Sequence, residues 1–302
     1  MNQSGIKKSE GVTMEFIFST FQSAFAFMQP YLTNYSEFSR VLSKETQVKE
    51  GGNIQYNFDL ELDGIFQKKI REFGIGGKIF SEESGWNEWG EKKYRVVCDP
   101  FCNSSLASKT FLDAAIGISI FSYDYRFITS AIMDYQTGIV GMIEDGKTNF
   151  YQIQTKEKIV FDIPVKDKLE DAWVVIALEN RKTREDIDKA RHILDKAKRI
   201  IINSGHIYWL RLAEGTIDAY LDPFGGEKLY EMFACTVVQK SGCAVTDLDG
   251  EEFDPVKYLK IFEDDRDSIY YPVASRHKEL HNRILSTLAD THLVRIKGAV
   301  IA

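Results

Sequence analysis

Apolar positions divide the chain into two halves with different patterns. Apolar residues at helical spacing predict helices near residues 13–45 and 59–73. The stretch from about residue 78 to 162 alternates apolar and polar positions between turn signals, which predicts a large antiparallel sheet. We therefore expect a first α+β subdomain over residues 14–165, preceded by an N-terminal extension at 1–13.

The second half alternates strand and helix patterns, which is typical of an α/β arrangement. The predicted elements are a strand at 173–178, a helix opened by Thr183 with Asp186 in the capping-box position, strands at 207–212 and 218–221, a helix that carries Glu231, and a helix at 276–290. They form a second subdomain, residues 166–302, which ends in a helical extension. We expect the functional site between the two halves.

Carboxylates occur at the ends of two predicted strands and in a later helix. Asp99 directly follows the buried strand predicted at 94–98, and Glu82 and Glu83 follow another short apolar run. Glu231 lies in the first turns of its predicted helix. Hard divalent cations such as Mg²⁺ bind several carboxylate oxygens supplied by separate elements. This layout predicts an oxygen-rich metal site.

Three motifs, in series, resemble those of the inositol monophosphatase family, the magnesium-dependent, lithium-sensitive phosphatases of sugars and nucleotides. The family has a Gly-Glu-Glu-Ser-like strand end, an Asp-Pro-(Ile/Leu)-Asp-Gly-(Thr/Ser) turn and a Trp-Asp-x-Ala-Ala-Gly helix. This chain has Ser-Glu-Glu-Ser at 81–84, Asp-Pro-Phe-Cys-Asn-Ser at 99–104 and Tyr-Glu-Met-Phe-Ala-Cys at 230–235. Weaker matches in the right order, such as the acidic helix start at 59–63, extend the resemblance over roughly residues 14–250.

The resemblance implies a fold and a set of site residues. The implied fold is a mixed α+β / α/β structure, the layered α-β-α-β-α sandwich of the inositol monophosphatase and fructose-1,6-bisphosphatase type. The implied metal ligands are Glu82, Asp99 and the Phe101 carbonyl for a first ion, and Asp99, Cys102 and Glu231 for a second. The other implied roles are catalysis by Glu82, Ser104 and Asp59, phosphate binding by Asn103, Ser104 and Ser105, and substrate binding by Asp222, Ser204 and Gly205.

Three positions depart from the family pattern. Cys102 stands where the family has aspartate, Glu231 is one methylene longer than the family's aspartate, and Asn103 replaces a glycine beside the phosphate. The resemblance implies Mg²⁺ as cofactor, but a thiolate is a softer ligand that suits Zn²⁺ better, so Mn²⁺ or Zn²⁺ is an alternative at the second site. Cys102 is either a small filler or a new ligand. A cysteine-phosphatase loop is not supported, because residues 103–110 contain no arginine.

Two functions therefore remain open. The first is a metal-dependent phosphomonoesterase that acts on a small phosphorylated polyol, sugar or nucleotide, with an altered second metal site and weak or changed activity. The second is a catalytically inactive relative that binds a phosphorylated metabolite, a metal or a protein partner. By resemblance to the family, we also expect a homodimer.

Composition and charge narrow the class of protein. The 302 residues, 44% of them hydrophobic, supply ample material for a core. The net charge of −7 argues against general nucleic-acid binding. The chain has four cysteines, and its first residues show no apolar segment typical of a signal peptide. We therefore expect a cytoplasmic protein.

Two further patterns have a structural interpretation. The longest apolar region, residues 16–32, is interrupted by polar residues and Pro30, which predicts an aromatic-rich amphipathic helix rather than a membrane span. It should pack on the sheet or on a partner subunit, and we expect no membrane partner. His277 and His281 lie one helical turn apart, and we interpret them as part of a solvated helix face.

Overall fold

The computed structural model describes residues 3–32, 34, 45–48, 54–110, 113–177, 184–224 and 226–290. Its helices are α1 (Gln3–Leu32), α2 (Asn57–Glu72), α3 (Ser104–Thr110), α4 (Arg184–Lys196), α5 (His206–Glu214), α6 (Leu229–Met232), α7 (Thr236–Lys240), α8 (Pro255–Asp264) and α9 (Lys278–Asp290). Short 3₁₀ turns lie at Leu169–Asp171 and Phe233–Cys235. None of the helices in the described ranges is long and apolar enough to cross a membrane.

Two sheets organise the described strands. The strands of the first half are β1 (Glu45–Val48), β2 (Ile54–Tyr56), β3 (Gly77–Ser81), β4 (Gly85–Trp89), β5 (Tyr94–Cys102), β6 (Ala115–Ser122), β7 (Phe127–Asp134), β8 (Ile139–Glu144), β9 (Lys147–Gln152) and β10 (Lys158–Ile159). Those of the second half are β11 (Trp173–Ile176), β12 (Arg199–Ile202), β13 (Ala219–Leu221), β14 (Glu227–Lys228), β15 (Ala244–Thr246), β16 (Ile269–Tyr270) and β17 (Val273–Ser275).

The larger sheet has eight strands in the order β10-β9-β8-β7-β6-β5-β3-β4. Its neighbours pair antiparallel except β3 and β5, which run parallel. The large antiparallel sheet predicted from the sequence is therefore confirmed. The smaller sheet has five strands in the order β12-β11-β13-β17-β15, and two-stranded ribbons join β1 to β2 and β14 to β16.

Apolar packing stacks these elements in five layers. Helices α1 and α2 bury aromatic and aliphatic side chains against one face of the eight-stranded sheet. On its other face, α5 and α7 pack between the two sheets. Helices α4 and α9 cover the outer face of the five-stranded sheet. This order confirms the predicted α-β-α-β-α sandwich, because each sheet buries both of its faces under helices.

The predicted strand at 207–212 is wrong, because these residues lie within helix α5. The apolar run is buried between the two sheets, so the helix lacks the polar face that normally reveals helical periodicity. Gly205 opens the helix with a φ of +102°, a conformation that interrupts any extended segment.

Two other predicted helices differ from the observed ones, one in its end points and one because it is interrupted. Helix α1 begins at Gln3 and ends at Leu32, whereas the pattern predicted a helix near 13–45. Residues 35–44 lie outside the described ranges. Thr183, the predicted start of a later helix, also lies outside them. The helix that carries Glu231 consists of α6, a 3₁₀ turn and α7 rather than one continuous rod.

The interpretation of His281 as a solvated residue is also wrong. Its side chain is buried, and its Nε2 lies 2.9 Å from the hydroxyl of Thr246. His277 is exposed, as expected, just before the start of α9.

Candidate active site

The parallel pairing of β3 and β5 brings two carboxylates together. Ser81 lies opposite Cys98 in this register, and the N–H of Glu82 donates to the Cys98 carbonyl at 3.0 Å. Glu82 and Asp99 are therefore the next two residues along these paired strands and lie side by side. Burial raises the pKa of the Asp99 carboxyl, and the carboxylates of Glu82 and Glu231 raise it further. The site is thus a cluster of acidic groups that favours a cation.

A bulge in β5 shapes the turn that follows Asp99. The pairing with β6 shifts register between Asp99 and Cys102, which is where Pro100 removes a ladder N–H. Two contacts fix the bulge. The Phe101 N–H donates to Asp99 Oδ1 at 3.0 Å, and the buried Tyr135 hydroxyl donates to the Pro100 carbonyl at 2.7 Å.

Asp59, Ser104 and the Phe101 carbonyl form what we call the hydroxyl side of the site. Asp59 caps the start of α2, where its Oδ2 accepts the Tyr56 N–H at 2.8 Å. The Ser104 hydroxyl lies 2.8 Å from Asp59 Oδ1 and 2.9 Å from the Phe101 carbonyl oxygen. Because a hydroxyl has one proton, it donates to one of these acceptors at a time.

The environment of Asp59 changes its acidity. Burial raises the pKa of the carboxyl to about 8, and the nearby Glu83 carboxylate acts in the same direction. The hydrogen bonds from the Tyr56 N–H and the Ser104 hydroxyl oppose this shift. Asp59 can therefore exchange a proton near neutral pH.

Asp99 Oδ2, Cys102 and His206 form what we call the imidazole side. The His206 ring is fully buried, and its Nε2 lies 3.0 Å from the Glu231 carbonyl oxygen. A carbonyl oxygen only accepts hydrogen bonds, so Nε2 carries the ring proton. Burial lowers the pKa of His206 to about 4, so the ring is neutral and Nδ1 presents a lone pair. This Nδ1 lies 3.6 Å from Asp99 Oδ2.

Cys102 completes this side of the site. Its Sγ accepts the backbone N–H of His206 at 3.3 Å. Burial raises the pKa of the Cys102 thiol, and the carboxylates of Asp99 and Glu231 raise it further. In the absence of a cation the thiol is therefore neutral.

Two glycines make room for the imidazole side. Gly117 faces Asp99 across the β5–β6 ladder, and a Cβ on it would lie 2.7 Å from the His206 ring. Gly205, with φ +102°, brings backbone so close that a Cβ would lie 2.7 Å from Cys102 Sγ. Side chains at either position would displace the cluster.

Asn103 occupies the position where the resemblance expects glycine. Its φ of +68° lies in the left-handed region, which asparagine tolerates better than most residues. Its amide donates to the carbonyls of Asp113 and Ser204 at 3.0 and 2.7 Å. These bonds anchor the side chain in the turn.

The structure brings most of the predicted site residues together: Asp59, Glu82, Asp99, Phe101, Cys102, Ser104 and Glu231. Ser105 is exposed on the first turn of α3, and Ser204 reaches the site through its carbonyl bond to Asn103. Asp222 follows β13, where its Oδ1 accepts the Phe224 N–H at 3.2 Å. The roles assigned to all these residues stay predictions.

His206 is the site residue that the sequence reasoning missed. The signal was present, because His206 follows a serine and a glycine at the start of an apolar run. We predicted a strand over that run and therefore did not consider the residue. In the structure His206 is the first residue of α5, and its ring lies beside Asp99 of β5 and the Glu231 carbonyl of α6.

The donor atoms fit magnesium on one part of the site only. The Glu82 and Asp99 carboxylates and the Phe101 carbonyl are oxygen ligands that suit a hard cation such as Mg²⁺. The second site expected from the resemblance does not fit, because the Cys102 sulfur and an imidazole nitrogen of His206 lie beside the Asp99 carboxylate there.

Comparison with known proteins gives a fold but no sequence match. No protein-family model and no curated protein matches the chain. The extragenic suppressor protein suhB from Bartonella henselae has a TM-score of 0.71 at 14% identity, covering 91% of this chain and 98% of its own. The inositol monophosphatase of Thermotoga maritima gives 0.68 at 14%, covering 92% and 97%.

A third similar structure, SaIMPase-II with inositol monophosphate bound, has a TM-score of 0.69 at 13% identity, covering 93% of this chain and 96% of its own. The same SaIMPase-II is also known with 2′AMP bound. The similarity extends over nearly the full length of each protein. The chain therefore has the fold of the inositol monophosphatases.

Proposed function

We propose that the protein is a metal-dependent phosphomonoesterase that acts on a small phosphorylated polyol, sugar or nucleotide. The observation that carries this proposal is the 2.8 Å contact between the Ser104 hydroxyl and Asp59, next to the carboxylates of Glu82 and Asp99. The stability of the fold does not require the buried Asp59 carboxylate, hydrogen-bonded to Ser104, to lie beside other acidic groups. This carboxylate is suited to activating a water molecule.

The residues of the hydroxyl side would prepare the attacking water. When Asp59 is ionised, it accepts the Ser104 proton, and the Ser104 oxygen can then accept a proton from water. The water oxygen would attack phosphorus while the bond from phosphorus to the ester oxygen breaks, and the leaving alkoxide would take up a proton from solvent. A hard cation bound by Glu82, Asp99 and the Phe101 carbonyl would polarise the phosphate in this geometry.

The substrate class rests on the fold relatives. SaIMPase-II binds inositol monophosphate and 2′AMP, both small phosphorylated molecules with hydroxyl groups. Asn103, Ser104 and Ser105 are our candidates for phosphate contacts, and Asp222, Ser204 and Gly205 for the rest of the substrate. Homodimer formation and a cytoplasmic location remain predictions.

A second candidate function is binding without catalysis. The observation that favours it is the His206 ring, which lies beside Asp99 and Cys102 at the place where the resemblance expects a second magnesium ion. A protein remodelled in this way could bind a phosphorylated metabolite, a metal or a protein partner on the same scaffold.

The two functions are separated by measuring phosphate release from inositol, sugar and nucleotide monophosphates with Mg²⁺, Mn²⁺ or Zn²⁺ added in turn. Glu82→Gln should abolish metal-dependent release, because it removes a charged ligand at a strand end. The matched control is Glu88→Gln, which makes the same change at an exposed position on β4. Release in wild type and in Glu88→Gln alone supports an enzyme; no release with any metal favours binding.

A further inference from the structure

Two buried acceptors face each other on the imidazole side without a proton donor between them. Asp99 Oδ2 accepts no hydrogen bond in the described part of the chain, and His206 Nδ1 has no hydrogen-bond partner there either. Both side chains are only 1% exposed. Buried polar atoms are almost always satisfied, so this pair calls for an explanation.

The tautomer of His206 leaves two ways to satisfy this pair, a proton on the Asp99 carboxyl or a bound cation. Because Nε2 donates to the Glu231 carbonyl, the Nδ1 lone pair points at a carboxylate oxygen 3.6 Å away. Two lone pairs at this distance repel each other unless a proton or a cation lies between them. A metal-bound histidine typically donates its other N–H to a carbonyl or carboxylate, as His206 does.

The third atom of the cluster is a sulfur. One carboxylate oxygen of Asp99, one ring nitrogen of His206 and Cys102 Sγ all lie within 4.8 Å of one another. Two nitrogen or oxygen ligands of a tetrahedral zinc ion lie roughly 3.3 Å apart, close to the observed separation of Nδ1 and Oδ2. The backbone N–H of His206 reaches the sulfur and would stabilise a thiolate.

We propose that Asp99, Cys102 and His206 bind a transition-metal ion of the zinc class, in place of a second magnesium ion. One oxygen, one nitrogen and one sulfur donor form a borderline-soft set that magnesium does not favour. Three protein ligands leave a fourth tetrahedral position for water or a phosphate oxygen. The room for this cluster depends on Gly117 and Gly205. The proposal goes beyond phosphatase activity, because metal binding stands whether or not the protein turns over an ester.

The test is metal binding to the full-length protein. The chain is stripped with a chelator and titrated with Zn²⁺ or Co²⁺ in the presence of excess Mg²⁺, and bound metal is counted after gel filtration. We expect one Zn²⁺ per chain that Mg²⁺ does not displace. The Co²⁺ form should show the intense visible bands of a tetrahedral ion and a thiolate-to-cobalt charge-transfer band.

Variants assign the ligands. Cys102→Ser should abolish the charge-transfer band, and His206→Ala should weaken Zn²⁺ binding by more than about 100-fold, since changes to residues behind a ligand already cost 10–100-fold. The matched controls are His281→Ala, another buried histidine with one unpartnered ring nitrogen, and Cys235→Ser, another buried cysteine. Both should keep the site.

Several results would overturn the proposal. They are no Zn²⁺ bound to wild type, equal displacement by Mg²⁺, or a Co²⁺ spectrum without a thiolate band. All three are measured on wild-type protein, so they decide the question even if a variant fails to fold. Phosphate release is measured separately: one bound Zn²⁺, the thiolate band in the Co²⁺ form and no release would leave this site in place and remove only the proposed activity.

Discussion

The hydroxyl side and the imidazole side of the site meet at the bulge that follows Asp99 but differ in how their polar atoms are satisfied. On the hydroxyl side, Asp59 and Ser104 bond to each other and to the backbone. On the imidazole side, Asp99 Oδ2 and His206 Nδ1 are buried and face each other without a donor.

The difference shows which part of the site is complete without a ligand. The hydroxyl side is organised by protein hydrogen bonds alone, so it should keep its geometry without a metal. The imidazole side contains buried groups whose repulsion only a cation or a proton relieves. The proposed water activation therefore belongs to the hydroxyl side, and the proposed site for a zinc-class ion belongs to the imidazole side.

The largest expected effect comes from breaking the hydroxyl side. Ser104→Ala removes the hydroxyl between Asp59 and the Phe101 carbonyl. We expect kcat/KM for metal-dependent phosphate release to fall by about 100-fold or more, the usual contribution of a positioned acid–base group. Ser104→Thr should retain most activity. Ser286→Ala, the same change at an exposed position on α9, is the control, and full activity in Ser104→Ala would show that the Asp59–Ser104 pair has no catalytic role.

The imidazole side can be broken by sterics alone. Gly117→Ala places a methyl group 2.7 Å from the His206 ring, which must move. We expect a loss of about 1–3 kcal/mol in the free energy of unfolding, together with loss of Zn²⁺ binding. Gly64→Ala on α2 meets no atom within 4 Å and should be neutral or stabilising by up to about 1 kcal/mol. Equal behaviour of the two variants in denaturant unfolding would contradict the close contact.

The raised pKa of Asp59, on the hydroxyl side, should make the stability of the protein depend on pH. The pKa of Asp59 is raised from 3.8 to about 8, so between these values the folded state binds a proton that the unfolded state has released. Stability should therefore fall as pH rises through this window, by up to about 1.4 kcal/mol per pH unit for this group. Urea unfolding of chelator-treated protein near pH 6.5 and 7.5 measures the slope. Asp59→Asn should flatten it; an unchanged slope would contradict the raised pKa.

The smallest expected effect comes from a change at the bulge, which should affect the hydroxyl side and the imidazole side equally. Tyr135→Phe removes the buried hydroxyl that bonds to the Pro100 carbonyl within the bulge. We expect a loss of about 1 kcal/mol in the free energy of unfolding, typical of one buried hydrogen bond. Phosphate release and Zn²⁺ binding should decrease together. A variant that impaired only one of them would show that the two sides do not depend on a common bulge.

Much of the fold could be predicted from the sequence because its signals are local. Alternation and turn residues predicted the large antiparallel sheet, and the motifs around Glu82, Asp99 and Glu231 predicted which segments meet. The strand predicted at 207–212 failed because burial on all sides removes the polar face of a helix. The prediction that His281 is solvated failed for a related reason, because the residue type alone does not show whether other elements cover the side chain.

The sequence by itself indicated an acidic site with an unusual cysteine, because residue type and spacing set strand ends, turns and carboxylates, and the resemblance of its motifs implied the layered architecture. Only the tertiary structure decided that His206 joins Asp99 and Cys102, since His206 lies on a different element, more than 100 positions from both. It also decided which ring nitrogen carries the proton, because the Glu231 carbonyl that fixes the tautomer belongs to a third element. Chemistry that depends on the distance between separate elements is set by packing, which no local pattern records.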